Sequence, residues 1–303
     1  MYFTSLPDHK KPGFDEAAHF DKFRKHNIIF NAMSSKSDCY RHVGCLSVKT
    51  VLSGEEWYRV DNRDIAIRPG QFLVLNNSQE YSCRIDGPGK VNVLSIFFRE
   101  QFARSVLRDV LCREETLLDN YLVSGEKVPE FFQTLKVIEP SLQKKMLTLV
   151  ATLNDFGYDV NRVDEHLVFL LHELIHKHKM EVRLANRVKA VKPSTKKEIY
   201  KRLCIAKDFM YSSFSDKPDL RSITNIACLS TPQLIRHFKA VFKVSPHQYL
   251  TRVRLEHAAG LLKHSETPVY EITRECGFEN TSSFCRLFKK EYGVSPVNFR
   301  MLD

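Results

Sequence analysis

The sequence lacks the usual signatures of a membrane, secreted or disulfide-stabilised protein. No run approaches the roughly 18–20 apolar residues that a membrane helix needs, and the chain does not open with a basic segment followed by an apolar stretch, as a secretion signal does. The eight cysteines include no C-x-x-C pair, which argues against structural zinc or a disulfide framework. We therefore expect a cytoplasmic protein without a membrane segment, and 303 residues are enough for two domains.

Positive charge is concentrated in the last third of the chain. Residues 192–303 hold 19 lysines and arginines against 11 aspartates and glutamates, a net charge of +8, whereas residues 1–191 hold 27 against 25 and carry +2. A basic segment beside a near-neutral remainder indicates that the last third alone binds a polyanion. Charge by itself is a weak signal, because many basic proteins are merely soluble.

Short apolar runs separated by turn residues occupy the N-terminal part. The runs are rich in Val, Ile, Leu and Phe and cover residues 26–33, 43–52, 71–76 and 91–98. Gly, Pro, Asn and Asp between them favour turns. Strands of this length and spacing predict a β-sandwich or a small barrel.

From residue 99 onward the apolar residues take helical spacing. The predicted helices after the first cover residues 130–138, 141–156 and 162–181. A basic stretch at 185–193 follows and ends in proline, so we predict the interdomain linker there.

Capping residues mark the helices that follow the linker. We predict a capping box between Thr195 and Glu198, in which each side chain accepts a backbone N–H of the first turn. Further N-caps are predicted where Ser, Thr or Asn precede helical runs, at Ser230, Ser245, Asn280 and Ser295.

The C-terminal third also contains an internal repeat. Residues 236–246 match residues 286–296 at an offset of 50 and share an Arg-x-Phe-Lys pattern and a Val-Ser-Pro ending. A short helix and a turn precede each block, at residues 220–229 and 269–279. A short helix, a tight turn and a second helix with basic and small polar residues outside form a helix-turn-helix unit.

The second helix of each unit has an apolar and a polar face. The predicted inward residues are Leu234, Phe238 and Val241 in one unit and Phe284, Leu287 and Phe288 in the other. The predicted DNA-binding residues are Thr231, Gln233, Arg236, Lys239, Asn280, Thr281, Ser282, Cys285, Arg286 and Lys289. Arginine suits guanine, glutamine suits adenine and lysine suits phosphate. Between the units, residues 246–263 predict one helix of roughly 27 Å, which can hold two recognition helices about one DNA turn, ~34 Å, apart.

Residues 196–300 resemble the DNA-binding domain of the AraC/XylS family of bacterial transcription regulators. The strongest part, residues 271–290, has the family's glycine–phenylalanine turn and its Phe-x-Arg-x-Phe-Lys helix, and residues 293–300 have the Gly-x-x-Pro-x-x-Phe-Arg ending. By this similarity, Arg236 and Arg286 occupy the main base-contacting positions.

Three residues depart from the family pattern. Thr224 and Thr273 stand where the family commonly has alanine, and Cys228 occupies a turn position often held by glycine. Threonine is close to alanine in size, so we expect it to be tolerated. Cys228 costs some stability if its φ is positive.

The resemblance implies an α+β chain of three parts. We expect a cupin-like sensor barrel over residues 1–125, a helical connector that dimerises over residues 126–190, and tandem helix-turn-helix units joined by a long helix over residues 194–303. The implied partners are promoter DNA, RNA polymerase, a second copy of the chain and a small-molecule effector, without a cofactor. The candidate effector-binding residues are Trp57, Tyr58, Phe72, Asn76 and Tyr81.

Rival functions are also compatible with parts of the sequence. Residues 172–176 spell H-E-x-x-H, a zinc-peptidase pattern, and Glu198 lies at a plausible distance for a third ligand. However, the two histidines fall away from the apolar stripe of their helix, and metal-binding cupins use a His-x-His where this chain has only His42, so we expect neither a metal nor an enzyme. Two non-enzymatic rivals are an architectural DNA-binding protein without sequence preference and a helical bundle that binds no DNA.

Overall fold

The structure is a computed structural model that describes residues 1–9, 11–87, 89–115 and 130–301. It divides into two compact units, Met1–Arg183 and Leu184–Asp303. The first unit combines two β-sheets with helices, and the described elements of the second are all helices, so the predicted α+β class is confirmed. The predicted boundary between residues 125 and 126 lies outside the described residues.

The described strands of the first unit form a six-stranded and a four-stranded sheet. The strands are β1 Tyr2–Phe3, β2 Ile28–Ser34, β3 Ser37–Val43, β4 Ser47–Ser53, β5 Glu56–Val60, β6 Arg63–Ile67, β7 Gln71–Leu75, β8 Glu80–Ile85, β9 Val91–Phe97 and β10 Lys136–Val137. The larger sheet has the order β1-β2-β9-β4-β7-β10 and the smaller one β3-β8-β5-β6. The β1–β2 pair is parallel and the other pairs are antiparallel.

The central strands of the larger sheet are covered on both faces. One face carries Val48, Phe72 and Ile96, which belong to a core that also includes Leu107 and Leu149 from the helices of this unit. The opposite face looks across an internal cavity at the smaller sheet. Burial on both faces explains why these strands are rich in Val, Ile, Leu and Phe.

Four helices are described in the first unit: α1 Glu16–Lys25, α2 Glu100–Glu115, α3 Pro140–Phe156 and α4 Val160–Ala185. Helices α2, α3 and α4 confirm the helices predicted from residue 99 and at 141–156 and 162–181. The expected apolar stripe of α4 is buried: Leu167, Leu170, Leu171, Leu174 and Ile175. Among the described residues, no helix is both long and apolar enough to cross a membrane.

The helix predicted over residues 130–138 is wrong. The segment is extended and ends in β10, where Lys136 pairs with Phe72 of β7. The Asn76 side chain accepts the Phe131 N–H and donates to the Phe131 carbonyl oxygen, both at 2.9 Å. Side-chain and strand pairing therefore satisfy the backbone here in place of helical hydrogen bonds.

The second unit contains seven α-helices and a 3-10 helix among its described residues. These are α5 Pro193–Ser212, the 3-10 helix Phe214–Asp216, α6 Leu220–Ala227, α7 Thr231–Phe242, α8 Pro246–His264, α9 Val269–Glu275, α10 Thr281–Tyr292 and α11 Pro296–Arg300. Ser230, Ser245, Asn280 and Ser295 are the N-cap residues of α7, α8, α10 and α11, as predicted.

The capping box predicted at Thr195 is wrong. Helix α5 begins at Pro193 with Lys192 as its N-cap, because proline fixes φ at a helical value and lacks the N–H that a first turn leaves unpaired. Thr195 and Glu198 therefore lie inside the helix, and Glu198 pairs with Arg202 at 2.8 Å.

Candidate functional site

Helices α6 and α7 form the first helix-turn-helix unit, with Ser230 between them as the N-cap of α7. The backbone N–H of Ser230 donates to Oε1 of Gln233 at 3.2 Å in a capping box. The Gln233 amide oxygen is therefore occupied, and its NH2 group is left to donate. Bidentate adenine recognition uses both groups of a glutamine, so Gln233 makes that contact only if it releases the cap.

The two faces of α7 divide as the sequence predicts. Its three predicted inward residues are buried. The exposed face carries Thr231, Gln233, Arg236 and Lys239. Ile235 is also 40% exposed between them, and the sequence interpretation omitted it although it falls outside the apolar stripe. An exposed isoleucine beside an arginine suits the methyl group of thymine.

A buried histidine supports Arg236. Nη2 of Arg236 lies 3.2 Å from Nε2 of His237, and only 2% of His237 is exposed. Burial and the charges of Arg236 and Lys189 lower the pKa of His237, which keeps the ring neutral. Since a guanidinium only donates, His237 accepts this bond and restrains Arg236. The sequence interpretation missed this contact, whose only signal is a histidine where the second unit has Leu287.

Helices α9 and α10 form the second unit. Asn280 caps α10 by accepting the Ser283 N–H at 2.8 Å, so its side-chain oxygen already has a partner. The other exposed residues predicted to bind DNA are Thr281, Ser282, Arg286 and Lys289. Cys285 differs from them, because it is partly buried and packs against the core formed by Phe284 and Phe288.

The turns of the two helix-turn-helix units each contain one residue with a left-handed backbone conformation, but that residue differs between them. Cys228 follows α6 with φ 49° and ψ 44°, and Gly277 follows α9 with φ 77°. Both φ values lie in the left-handed region, which glycine adopts without steric cost and which strains other residues. The φ of Cys228 is therefore positive, which is the condition under which we expect a cost in stability.

Helix α8 is a single continuous helix that connects the two helix-turn-helix units. Its 19 residues span about 28 Å. Near its start, the Tyr249 ring lies 5.8 Å from the Phe238 ring of α7, and farther along Leu255 and Leu262 join the core of the second unit. Both helix-turn-helix units are thus packed against a common support.

A cavity of about 50 Å³ lies between the two sheets of the first unit. Of the five candidate effector-binding residues, Tyr58 and Tyr81 line it. The other three candidates have structural contacts elsewhere. Trp57 Nε1 donates to Glu55 at 2.6 Å, Phe72 belongs to the core beneath the helices, and Asn76 binds the Phe131 backbone.

Ionisable groups that the sequence interpretation did not single out also line this cavity. Lys49 is 2% exposed, its Nζ lies 3.3 Å from the Phe97 ring centroid, and burial lowers its pKa to about 8. Burial raises the pKa of Glu56 to about 7, while Tyr58 donates to Glu56 at 2.9 Å. Burial likewise lowers the pKa of His42 to about 3. Only the strand register brings these residues together, so a single sequence gives little signal for them.

The H-E-x-x-H residues lie on α4. His172 and His176 are exposed, and Glu173 forms an ion pair with Lys145 at 3.1 Å. Within the described parts of the chain, no group of three or more His, Cys, Asp or Glu side chains is arranged to hold a metal ion.

Comparison with known families and proteins shows that the second unit is similar to parts of transcription regulators. Residues 223–301 match the model of a helix-turn-helix domain family. The chain is 34% identical over 99 residues to the HTH-type transcriptional activator RhaS of Escherichia coli, an alignment covering 33% of this chain and 36% of RhaS. It is 37% identical over 81 residues to an HTH-type transcriptional regulator of Haemophilus influenzae, covering 27% of each. The matched segment therefore spans well under half of these relatives.

The similar solved structures differ in how much of this chain they cover: some cover about a third of it and others cover most of it. The C-terminal domain of AraT, a response regulator from Geobacillus stearothermophilus, is 32% identical, covers 33% of this chain and 84% of that one, and has a TM-score of 0.32. ToxT from Vibrio cholerae is 15% identical, covers 91% of this chain and 97% of that one, and has a TM-score of 0.35.

Proposed function

We propose that the chain is an AraC-type regulator of transcription that binds specific promoter DNA through α7 and α10. The helix-turn-helix match over residues 223–301 and the similarity to RhaS support this. The observation that carries the proposal is the exposure of Arg236 and Arg286 at matching positions of two capped helices that pack on α8. In this proposal the two helices enter successive segments of the major groove, about 34 Å apart along the duplex.

The side chains around the two arginines have complementary roles. Arg236 and Arg286 read guanine edges, because a guanidinium donates two parallel hydrogen bonds to O6 and N7. Lys239 and Lys289 neutralise phosphates and set the register of the protein on the duplex. The hydroxyl groups of Thr231, Thr281 and Ser282 contact base edges or phosphates, and the Asn280 side chain keeps its cap while its NH2 group donates.

The cavity between the sheets is proposed as the effector site. Tyr58 and Tyr81 supply flat apolar walls, and Lys49 and Glu56 supply charged groups that water reaches poorly. Pockets of this kind, apolar with a few polar groups, are typical of small-molecule sites. Its volume of about 50 Å³ favours a small effector or one that displaces side chains.

A homodimer that recruits RNA polymerase in the cytoplasm completes the proposal. Large apolar side chains stand exposed on the helical connector, with Leu147 at 49%, Phe156 at 63% and Phe169 at 45%. Exposed apolar residues on neighbouring helices are typical of protein interfaces. Sedimentation of the wild type and of Leu147→Ser/Phe169→Ser checks this: we expect a dimer that weakens in the variant.

Selection of genomic DNA fragments by the purified full-length protein tests the main proposal. We expect the protein to enrich a few fragments that share a motif with two half-sites one DNA turn apart. The Arg236→Ala/Arg286→Ala variant should keep its fold by circular dichroism and lose the enrichment. Equal retention of random and genomic DNA at fixed salt would favour an architectural binding protein, and no retention would refute DNA binding.

A further inference from the structure

Two cysteines face each other across the smaller sheet. Cys39 on β3 and Cys83 on β8 are directly paired in the antiparallel register. Directly opposed residues have Cα atoms about 4.5–5.5 Å apart, within the range of about 4.4–6.8 Å that a disulfide needs. Both residues are partly exposed and line the cavity between the sheets.

The two thiols have unequal character. The Cys83 S–H donates a hydrogen bond to the Cys39 sulfur, and this bond, with help from the charge of Lys49, lowers the pKa of Cys39. The same bond and burial raise the pKa of Cys83. The two sulfurs lie within hydrogen-bonding reach of each other, and the nearby Lys49 charge favours a thiolate, so we assign Cys39 as the attacking and Cys83 as the resolving cysteine.

Other described cysteines lack the features that make this pair a candidate for oxidation. Burial raises the pKa of Cys45 to about 11 and that of Cys276 to about 12, which keeps both as unreactive thiols. Cys228 is exposed at the turn after α6, and no described cysteine stands opposite it in a strand pair.

We propose that Cys39 and Cys83 are a redox modification site that closes to a disulfide when the protein meets a peroxide. The Cys39 thiolate attacks one oxygen of hydrogen peroxide, the O–O bond breaks, and hydroxide leaves and is protonated to water. The Cys83 sulfur then attacks the resulting sulfenic acid, the S–O bond breaks, and the hydroxyl leaves with the Cys83 proton as a second water. The two sulfurs together lose two electrons, and peroxide gains them. A dithiol reductant returns Cys39 and Cys83 to thiols by thiol–disulfide exchange and is itself oxidised to a disulfide.

The inference goes beyond DNA recognition and does not depend on it. The Cys39–Cys83 bond would link β3 covalently to β8. Directly after Cys39 the register of this strand pair shifts, and Arg41 has a φ of 52°. The bond would also stiffen a wall of the cavity beside Tyr58 and Tyr81.

Peptide mapping of the full-length protein tests the site. The reduced protein is treated with hydrogen peroxide at pH 7, alkylated in denaturant and digested. We expect two of the eight thiols to resist alkylation, with a Cys39–Cys83 peptide lighter by two hydrogens, and full recovery with dithiothreitol. Alkylation of both cysteines after peroxide, or a disulfide between other positions, would overturn the proposal.

Variants separate the two steps. In Cys83→Ser, Cys39 should stop at the sulfenic acid and be labelled by dimedone, whereas Cys39→Ser should leave Cys83 unlabelled. The matched control Cys228→Ser should give the wild-type yield of disulfide. Lys49→Met, which keeps an apolar stem of similar length, should slow oxidation by roughly threefold or more because the charge favouring the thiolate is lost. Dimedone labelling of Cys83 instead of Cys39, or an unchanged rate in Lys49→Met, would contradict the assigned roles.

Discussion

The turns of the two helix-turn-helix units allow a paired stability experiment. Gly277 has a φ of 77°, and a Cβ atom there would meet the Phe214 carbonyl oxygen at 2.8 Å and the Arg254 guanidinium at 3.2 Å. Those two groups are hydrogen-bonded to each other at 3.1 Å. Gly277→Ala should therefore cost about 1–2 kcal/mol for the left-handed backbone and about 1–3 kcal/mol for the close contacts, or roughly 2–5 kcal/mol together.

The opposite change at the equivalent turn should stabilise the protein. Cys228→Gly removes a strain of about 1–2 kcal/mol but gives the unfolded chain more freedom, which costs about 0.5–1 kcal/mol. We expect a net gain of up to about 1.5 kcal/mol. The side chain of Cys228 is exposed, so little packing is lost.

The position of the single tryptophan makes the measurement specific to one unit. Trp57 lies in β5 of the first unit, so its fluorescence follows that unit, whereas circular dichroism at 222 nm also follows the helical second unit. In guanidinium chloride, Gly277→Ala should lower and Cys228→Gly should raise the dichroism midpoint of the second unit, while the fluorescence midpoint stays constant. An unchanged dichroism midpoint in Gly277→Ala would refute the reasoning about this turn.

Three further predictions use the same protein. Asn280→Ala should cost about 1 kcal/mol in unfolding of the second unit because α10 loses its cap, and Asn298→Ala on the exposed face of α11 should cost less than about 0.5 kcal/mol; equal effects would contradict the cap. Lys239→Ala should weaken binding to all DNA sequences alike and reduce the slope of log K against log salt by about one, because one phosphate contact is lost; a sequence-dependent loss would contradict that role. Burial lowers the pKa of His42 from 6.5 to about 3, so below pH 6.5 the unfolded state binds more protons than the folded state and the free energy of unfolding falls. Between pH 6.5 and 5 the wild type should therefore lose about 2 kcal/mol more of its unfolding free energy than His42→Gln, as followed by Trp57 fluorescence. Equal losses in the two proteins would contradict this prediction.

The second unit was predictable from the sequence to a useful degree. Most of its helices begin after a residue with a capping side chain, so local signals at Ser245 and Asn280 locate their first turns well. The error at Thr195 arose because two start signals compete within three residues, and Pro193 begins the helix first. Helix exposure followed from apolar spacing alone, except at Ile235 and His237, where the pattern of the neighbouring unit is a poor guide. A further exception is Cys285, which was expected on the outer face and is partly buried.

The first unit was predicted less completely because its structure depends on contacts between distant residues. Strands β2, β4, β7 and β9 are apolar runs and were recognised, whereas β3 alternates polar residues and lacks such a run. The register that places Cys39 opposite Cys83, or Lys49 near Glu56, is set by turns and a bulge that a single sequence does not specify. Residues 130–138 show the same limitation, since pairing with β7 outweighs a short helical pattern.

Binding of Arg286→Ala to DNA tests the central claim most directly. Affinities are measured at one salt concentration for the selected fragment, for each single base-pair substitution within it and for random DNA, with Lys239→Ala as the matched cationic control. The account predicts a loss of about 1–3 kcal/mol on the selected fragment, loss of discrimination at one base pair, and little change on random DNA. Equal losses on selected and random DNA would contradict a base-reading role for this helix.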